Sequence, residues 1–163
     1  MYILIKKISS LLVFLSFLGS SYSLDVEFES NKTSFDSKKE ILLLEGDVSL
    51  KYENLIFKAD KVEFDKKNDL FTSKKLTFSS IDNYLYGSAN EVEILKKNVI
   101  LKKVEFSSCP CSNKIWWIES KELNFKNGED FISAKNSKLI VQGRTLAFIN
   151  KANFPINYER KTG

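Results

Sequence analysis

Apolar and polar residues alternate along most of this chain, and one short phrase of that alternation occurs three times. The phrase spans residues 59–64 (Ala-Asp-Lys-Val-Glu-Phe), 89–94 (Ala-Asn-Glu-Val-Glu-Ile) and 120–125 (Ser-Lys-Glu-Leu-Asn-Phe). The copies follow one another at intervals of about 30 residues, which indicates one supersecondary unit stacked on copies of itself. A period of two is typical of a strand with one buried face, so the apolar side chains of each copy share one face of a sheet.

Short alternating runs separated by turn residues continue from residue 41 to residue 141. Each copy of the phrase leads through a polar turn into a second run, as in residues 76–80 (Leu-Thr-Phe-Ser-Ser) and 104–108 (Val-Glu-Phe-Ser-Ser). The sequence therefore predicts an all-β, antiparallel fold in which each repeat is an out-and-back pair of short strands. A turn is predicted at residues 45–47 (Glu-Gly-Asp), where the first of these runs ends.

The one-sided alternation has two interpretations. In a closed sheet the apolar face is a solid core, whereas in an open sheet the same face is available to an apolar ligand. The period is the same in both cases, so both interpretations stand at this point.

The composition agrees with one β domain. Of the 163 residues, 43% are hydrophobic and 28% are charged, which is ordinary for a globular chain and argues against disorder. The 13 Phe residues suit strands better than helices.

The first 23 residues have the features of a cleaved secretory signal. Lys6 and Lys7 precede an apolar stretch at 8–18, and Ser-Tyr-Ser at 21–23 offers a cleavage site. The apolar stretch is too short to cross a bilayer as a helix, although an uncleaved membrane anchor is the alternative. We therefore expect export, with residues 24–40 as a mobile approach that carries an edge strand at 26–28, and 41–156 as the β domain.

The charges do not predict a nucleic-acid-binding protein. The formal net charge is +4, and the Lys pairs are spread along the chain among acidic residues instead of being concentrated on one face. Lys residues at strand edges also resist unwanted pairing, which is a sufficient structural reason for them.

Residue types that most enzymes need are missing. The chain has no His, which excludes a Ser-His-Asp or Cys-His site and removes the commonest metal ligand. It has neither a glycine-rich phosphate loop nor a dinucleotide-binding fingerprint, and its carboxylates alternate with apolar residues as on a solvated face. We predict a protein that is not an enzyme and that has no cofactor and no resident metal.

The two cysteines, Cys109 and Cys111, are separated only by Pro110. In an oxidising compartment they are disulfide candidates, but the spacing is too close for an unstrained bridge between them. A strained local bridge, a metal or redox pair, and a bridge to a different segment are the three alternatives.

Several of these stretches resemble a known family, the OstA-type periplasmic domain of lipopolysaccharide transport proteins. Gly-Asp-Val at 46–48 and residues 55–64 carry the general resemblance. Phe-Ser-Ser-Cys-Pro at 106–110 with Trp116 seven residues after the first Cys, and Phe-Pro-Ile at 154–156, resemble the N-terminal part of the LptD family of outer-membrane lipopolysaccharide assembly proteins. Residues 134–139 (Ala-Lys-Asn-Ser-Lys-Leu) add to it.

The resemblance implies an open β-jelly roll of V-shaped stacked strands, in which an apolar slot holds the acyl chains of lipopolysaccharide while Lys residues orient the head group. It implies a place in the periplasm, at the inner side of the outer membrane. The implied partners are lipopolysaccharide, a bridge protein of the same fold joined by strand addition and, in a longer form, an outer-membrane barrel with its plug lipoprotein. The expected slot-lining residues are Val48, Leu50, Leu55, Phe57, Val62, Phe64, Leu76, Phe78, Val92, Ile94, Val104, Phe106, Leu123 and Phe125.

The sequence also differs from the family pattern. Thr145, Asn150 and Lys151 stand where the family usually carries prolines and aromatic residues, and Cys111 is extra. No barrel follows, so the cysteines that would partner Cys109 in the family are not in this sequence; we expect 157–163 to begin the junction to a missing barrel. The alternatives are a structural β adaptor that docks edge to edge in an envelope assembly and a stand-alone bridge protein of the same family.

Overall fold

The computed structural model describes residues 26–81, 85–96, 98–108, 114–126, 129 and 131–155. The described residues contain no helix, so the all-β prediction is confirmed. They form ten strands: β1 Val26–Glu29, β2 Lys32–Asp36, β3 Ile41–Tyr52, β4 Leu55–Asp65, β5 Leu70–Ser80, β6 Tyr86–Leu95, β7 Asn98–Ser107, β8 Trp116–Lys126, β9 Phe131–Val141 and β10 Arg144–Pro155.

All ten strands belong to one antiparallel sheet. From β3 to β10, each strand pairs with the strand that follows it in the chain, which requires only short turns. The first two strands share β3: β1 pairs with residues 49–52 and β2 with residues 41–45. One edge of the sheet therefore consists of two short strands, and the other edge of the described sheet is β10.

A row of strand kinks crosses the middle of the sheet; it is called the bulge row here, because the kink in β3 is a β-bulge with a register shift between Glu45 and Val48. In β5 the buried positions are Phe71 and Ser73 on one side of it and Leu76 and Phe78 on the other, so the inward phase shifts by one residue. Lys75 lies at the shift and has a φ of 53°. The left-handed residue bends β5, which keeps the same pairing register with β4 and β6 on both sides of the bend. Positive φ angles also occur within other long strands, at Asp47 (46°), Lys103 (52°) and Asn136 (51°).

The bulge row divides the sheet into two limbs. The first limb is the side that contains Phe71 and Leu123, and the second limb is the side that contains Phe78 and Phe106. Each long strand contributes one segment to each limb. The inward-facing residues of both limbs belong to one buried apolar cluster.

The inner sides of the two limbs face each other. Phe78 of β5 meets Phe125 of β8 with 6.4 Å between ring centroids and 81° between ring planes. Phe106 of β7 meets Phe154 of β10 at 5.4 Å and 79°. Edge-to-face rings at these distances attract one another. Neither pair joins neighbouring strands, so the core lies between the limbs.

The repeat predicted from the sequence is confirmed by the strand order. Its three copies lie on β4, β6 and β8, and the returning runs lie on β5 and β7. Both returning runs pair with β6 in the same register: Leu76 and Val104 lie opposite Ala89, and Phe78 and Phe106 lie opposite Gly87. Each repeat is therefore an out-and-back pair of strands.

The strands are longer than predicted. The turn predicted at residues 45–47 is wrong, because Gly46 (φ 77°) and Asp47 form a bulge inside the continuous strand β3. The short runs predicted over residues 41–141 likewise join into longer strands, because residues 59–60, 72–75 and 102–103 lie inside β4, β5 and β7, and β10 lies beyond the predicted runs. Two adjacent polar residues resemble a turn in the sequence, but here they lie at a kink, beyond which the strand resumes pairing with the same neighbour.

Candidate functional site

Two rows of side chains run across the inner face of the sheet. The first inner row lies in the first limb and joins positions that are paired in register from β2 to β10: Phe35, Leu42, Phe64, Phe71, Ile94, Val99, Phe125, Ile132 and Phe154. Every member is apolar, and five of them are Phe. Alternation places these side chains on one face, and the pairing register aligns them across the strands.

The second inner row lies in the second limb and starts on β1. Its paired positions are Phe28, Leu50, Phe57, Phe78, Gly87, Phe106, Ile118, Leu139 and Ala147. Close packing explains why the row has glycine at position 87. An added Cβ there would lie 2.5 Å from Cζ of Phe78 and 2.5 Å from the backbone oxygen of Glu105. Neither row contains a charged residue.

The structure brings all fourteen predicted slot-lining side chains to this inner face. All of them except Phe64 are buried, with exposed fractions of 5% or less. Phe64 is half-buried and stacks on Phe71 of the same limb, with 4.2 Å between ring centroids. The fourteen side chains are therefore packed against one another across the limbs.

The two ends of the inner rows differ. At the β1 and β2 edge, Phe28 and Phe35 are 41% and 53% exposed, one on each limb. At the β10 edge, Phe154 is half-buried and packs on Phe106 of the other limb. Sequence reasoning missed Phe35, although the alternation in Thr33-Ser34-Phe35-Asp36 could have indicated it.

Hydroxyl groups satisfy backbone oxygens at the bulge row. Ser73 Oγ donates to the Lys61 oxygen at 2.6 Å, and Ser120 Oγ lies 3.0 Å from the Lys135 oxygen and 3.0 Å from Ser137 Oγ. These serines are buried, and a buried carbonyl without a donor would be costly. Their hydrogen bonds therefore satisfy backbone oxygens in the bent region of the core.

Tyr52 links the ends of the two limbs. Its Oη donates to the backbone oxygen of Lys96 at 2.9 Å, and its side chain is buried. Burial, with a smaller contribution from the charge of Glu53, raises the pKa of Tyr52 to about 12. The hydroxyl therefore stays protonated and able to donate over a wide pH range.

The outer face carries charges instead. Lys102 Nζ lies 2.5 Å from Glu93 Oε1 and 3.9 Å from Glu91 Oε2, and Lys135 Nζ lies 2.6 Å from Glu122 Oε1. The hydrogen bond to Glu93, followed by the negative charges of Glu93 and Glu91, raises the pKa of Lys102. These side chains are about half exposed, so each pair contributes little to stability.

Two clefts open on the outer face beside the bulge row. One, of about 520 Å³, lies between β3, β4 and β5 and includes Asp47, Lys58 and Asp60; the other, of about 510 Å³, lies between β4, β5 and β6 and includes Lys61 and Lys74. Both have mainly polar and charged linings, so neither resembles the apolar inner face.

The described residues hold no group of three or more His, Cys, Asp or Glu side chains that could bind a metal ion. Within the same residues, no helix has the length and apolarity to span a bilayer. The disulfide candidates Cys109 and Cys111 and the predicted signal at 1–23 lie outside the described residues.

The chain is similar to known lipopolysaccharide assembly proteins. It is 26% identical over 136 residues to the LPS-assembly protein LptD of Acinetobacter baylyi, a match that covers 82% of this chain and 17% of that protein. It is 24% identical over 152 residues to LptD of Shewanella frigidimarina, covering 88% of this chain and 20% of that protein. The chain thus spans only about a fifth of the length of these relatives. No family model matches it.

A solved structure shows the same fold. LptH of Pseudomonas aeruginosa, the LptA homologous periplasmic component of its lipopolysaccharide transport device, matches with a TM-score of 0.53 and 10% identity, over 72% of this chain and 94% of that one. The ten-stranded antiparallel sheet therefore has the open β-jelly-roll fold that the sequence predicted. Along most of its length the chain is similar to the N-terminal region of LptD proteins, which confirms the resemblance seen in its sequence.

Proposed function

We propose that this chain binds lipopolysaccharide in the periplasm and passes it toward the outer membrane through the space between its two limbs. The observation that carries the proposal is the pair of inner rows, which are uncharged from the β1 and β2 edge to β10. The similarity to LptD proteins and the fold shared with LptH support it.

Acyl chains would bind by replacing the contacts between the limbs. The fourteen slot-lining side chains are already buried, so a lipid must part contacts such as those of Phe78 with Phe125 and Phe106 with Phe154. Each ring pair contributes about 0.5–1.5 kcal/mol beyond its buried area. Burying about ten methylenes contributes roughly 8 kcal/mol, at about 0.8 kcal/mol each. The burial of the acyl chains therefore outweighs the loss of the contacts between the limbs, so the exchange is favourable.

The charged groups would act on the head group. A Lys near an anionic phosphate contributes about 1 kcal/mol, far less than the acyl chains, so Lys residues at the rim of the limbs orient the lipid rather than hold it. No step of this role requires bond making or breaking, a cofactor or a metal. The proposed role is binding and transfer, not catalysis.

Strand addition is the proposed mode of joining to partners. The outer side of β1 carries no paired strand in the described sheet, so a bridge protein of the same fold can extend it there. In a longer form, an outer-membrane barrel and its plug lipoprotein would follow. The proposed location of the domain is the periplasm, at the inner side of the outer membrane.

A photo-crosslinking experiment on one strand tests the lipid path. Benzophenone groups are placed at Phe64, which faces inward and is half-buried, and at the neighbouring Glu63, which faces outward. With purified lipopolysaccharide we expect capture at position 64 and not at 63. Phe154 and Asn153 on β10 provide a second matched pair. Equal capture on the two faces would overturn the proposal.

A structural adaptor with a solid core is the second candidate. The closely packed inner face favours it, because all of the fourteen slot-lining side chains except Phe64 have exposed fractions of 5% or less. It predicts no capture at Phe64 or Phe154 in protein that retains its native circular dichroism. The same experiment therefore decides between the two functions.

A further inference from the structure

Contacts at three places between the two limbs share one geometry. Tyr52 at the end of β3 reaches Lys96, which follows β6, and the two ring pairs between the limbs join β5 to β8 and β7 to β10. In each case a residue of the second limb meets a residue of the first limb that lies three strands further along the chain. The limbs therefore close on each other with a constant offset.

The Tyr52 contact lies farthest from the bulge row of the three. Tyr52 is the last residue of β3 and Lys96 directly follows β6, so both lie at the ends of their limbs. The rings of Phe78 and Phe106 lie closer to the bends of β5 and β7. Limbs that pivot at the bulge row move most at their ends. A bond between the ends therefore restrains this motion more effectively than a contact near the bends.

The Tyr52 contact also differs from the ring pairs in its chemistry. The ring pairs are apolar, so an acyl chain can replace them with contacts of the same kind. The Tyr52 hydroxyl donates to the backbone oxygen of Lys96 at 2.9 Å, and an acyl chain has no donor to take its place. Tyr52 is 4% exposed, and separating a buried polar group from its partner is costly. This hydrogen bond therefore opposes the entry of an acyl chain.

The donor and the acceptor are each fixed to a different limb. Tyr52 is held in the second limb, where it pairs with Val26 of β1 and with Leu55 of β4. Lys96 is held at the end of the first limb and has a φ of 52°, a left-handed conformation that is uncommon for a residue with a side chain. The hydrogen bond between them can therefore persist only while the limb ends are together.

We propose that Tyr52 is a latch: its hydrogen bond to the Lys96 oxygen holds the limb ends together, and its release lets the limbs part to admit an apolar chain. The inference rests on the proposed function, to which it adds the residue that controls entry to the lipid path. Tyr52 is a positioning residue, because it acts through the separation of the limbs.

Tyr52→Phe tests the latch, because it removes the hydroxyl and keeps the buried ring. The probe is N-phenylnaphthylamine, whose fluorescence rises in apolar surroundings, and stopped-flow mixing with the full chain measures its rate of entry without lipopolysaccharide. We expect the probe to enter the Tyr52→Phe protein roughly two- to ten-fold faster than the unmodified protein, as the loss of one hydrogen bond predicts.

Ser73→Ala is the matched control. It also removes a hydroxyl that donates to a backbone oxygen, that of Lys61 at 2.6 Å, but it does so at the bulge row and not at the limb ends. Ser73 is 7% exposed, so both variants should lose stability in urea denaturation, but Ser73→Ala should leave the rate of probe entry unchanged. Faster entry into both variants would overturn the proposal, because lower stability alone would then admit the probe. Equal rates in Tyr52→Phe and the unmodified protein, or no entry into either, would overturn it as well.

Lipid capture separates the latch from the proposed function. With benzophenone at Phe64 and purified lipopolysaccharide, Tyr52→Phe should raise the initial rate of capture by a factor similar to that seen with the probe. Capture at an unchanged rate would overturn the latch and leave the proposed function standing. Faster entry of the probe without capture of lipopolysaccharide would support the latch and overturn the proposed function.

Discussion

The inner and outer faces of this sheet are built from alternate residues of the same strands, yet they are held by different forces. The inner face is a continuous apolar surface in which Leu44, Leu101 and Leu123 have exposed fractions of 0%. The outer face carries Lys–Glu pairs that remain about half exposed. Burial of one leucine side chain stabilises a fold by about 1.5–3 kcal/mol, whereas an exposed ion pair contributes about 0–1 kcal/mol.

The two faces therefore contribute to different properties: the inner face to stability, and the outer face to the choice of strand register or partner. Because the inner face supplies nearly all of the stabilising burial, a substitution there should lower the free energy of unfolding. Because the outer face supplies little, substitutions there are free to set which strand register or partner is favoured. The four predictions below test this separation from the largest expected effect to the smallest.

Truncation at the centre of the inner face should have the largest effect. Leu123→Ala should lower the free energy of unfolding by about 2–5 kcal/mol, because it leaves a cavity in a fully buried site. Leu95→Ala on β6 is the control, since Leu95 is 44% exposed and should cost well under half as much. Urea denaturation measures both, and equal losses would contradict the assignment of the core.

Adding a methyl group to the inner face should also be costly. Gly87→Ala places Cβ 2.5 Å from the Phe78 ring and 2.5 Å from the backbone oxygen of Glu105, so ring and strand must shift. We expect a loss of about 1–3 kcal/mol in the free energy of unfolding. The neighbouring Ser88→Ala, at an exposed position of the same strand, should change it by less than about 0.5 kcal/mol.

Alkaline pH should weaken the link that Tyr52 makes between the limbs. The pKa of this hydroxyl is raised to about 12 in the folded protein, above its ordinary value of 10.0. Its contribution is therefore complete below pH 10 and is lost as pH rises toward 12, by at most roughly 3 kcal/mol. Relative to Tyr52→Phe, which cannot ionise, the unmodified protein should lose stability across this window in urea denaturation; parallel curves would contradict the prediction.

Removal of an outer-face ion pair should have the smallest effect. Lys102→Gln removes the cation that contacts Glu93 and Glu91, and we expect a loss below about 1 kcal/mol that fades in about 0.5 M salt. A loss above about 2 kcal/mol, or one that salt does not reduce, would show that the outer face carries more of the stability than its exposure allows.

Much of the inner face could be predicted from the sequence. The alternation at positions such as Val62, Val92 and Leu123 placed their side chains on one face, because a strand repeats every two residues. All three are buried in one cluster. The order of the strands also followed from the repeat, since short polar turns allow only neighbouring antiparallel pairs.

The bend could not be predicted in the same way. Steps such as Lys74-Lys75 and Lys102-Lys103 resemble turns, because a turn and a strand kink can both place two polar residues next to each other. The two differ in whether the chain resumes its backbone hydrogen bonds with the same neighbouring strand. That depends on the partner strand. For the same reason the edge strand β10, which has weak alternation, was not identifiable from its residues.

The sequence by itself determined which residues are buried, because burial follows the local period of apolar side chains along each strand. Only the tertiary structure decided which of them meet, since Phe78 and Phe125 or Phe106 and Phe154 are distant in the chain and come together only when the kinked strands fold one limb over the other. The structure likewise decided that Lys135 pairs with Glu122 and lies opposite Lys151, because charge pairing across a sheet depends on strand register.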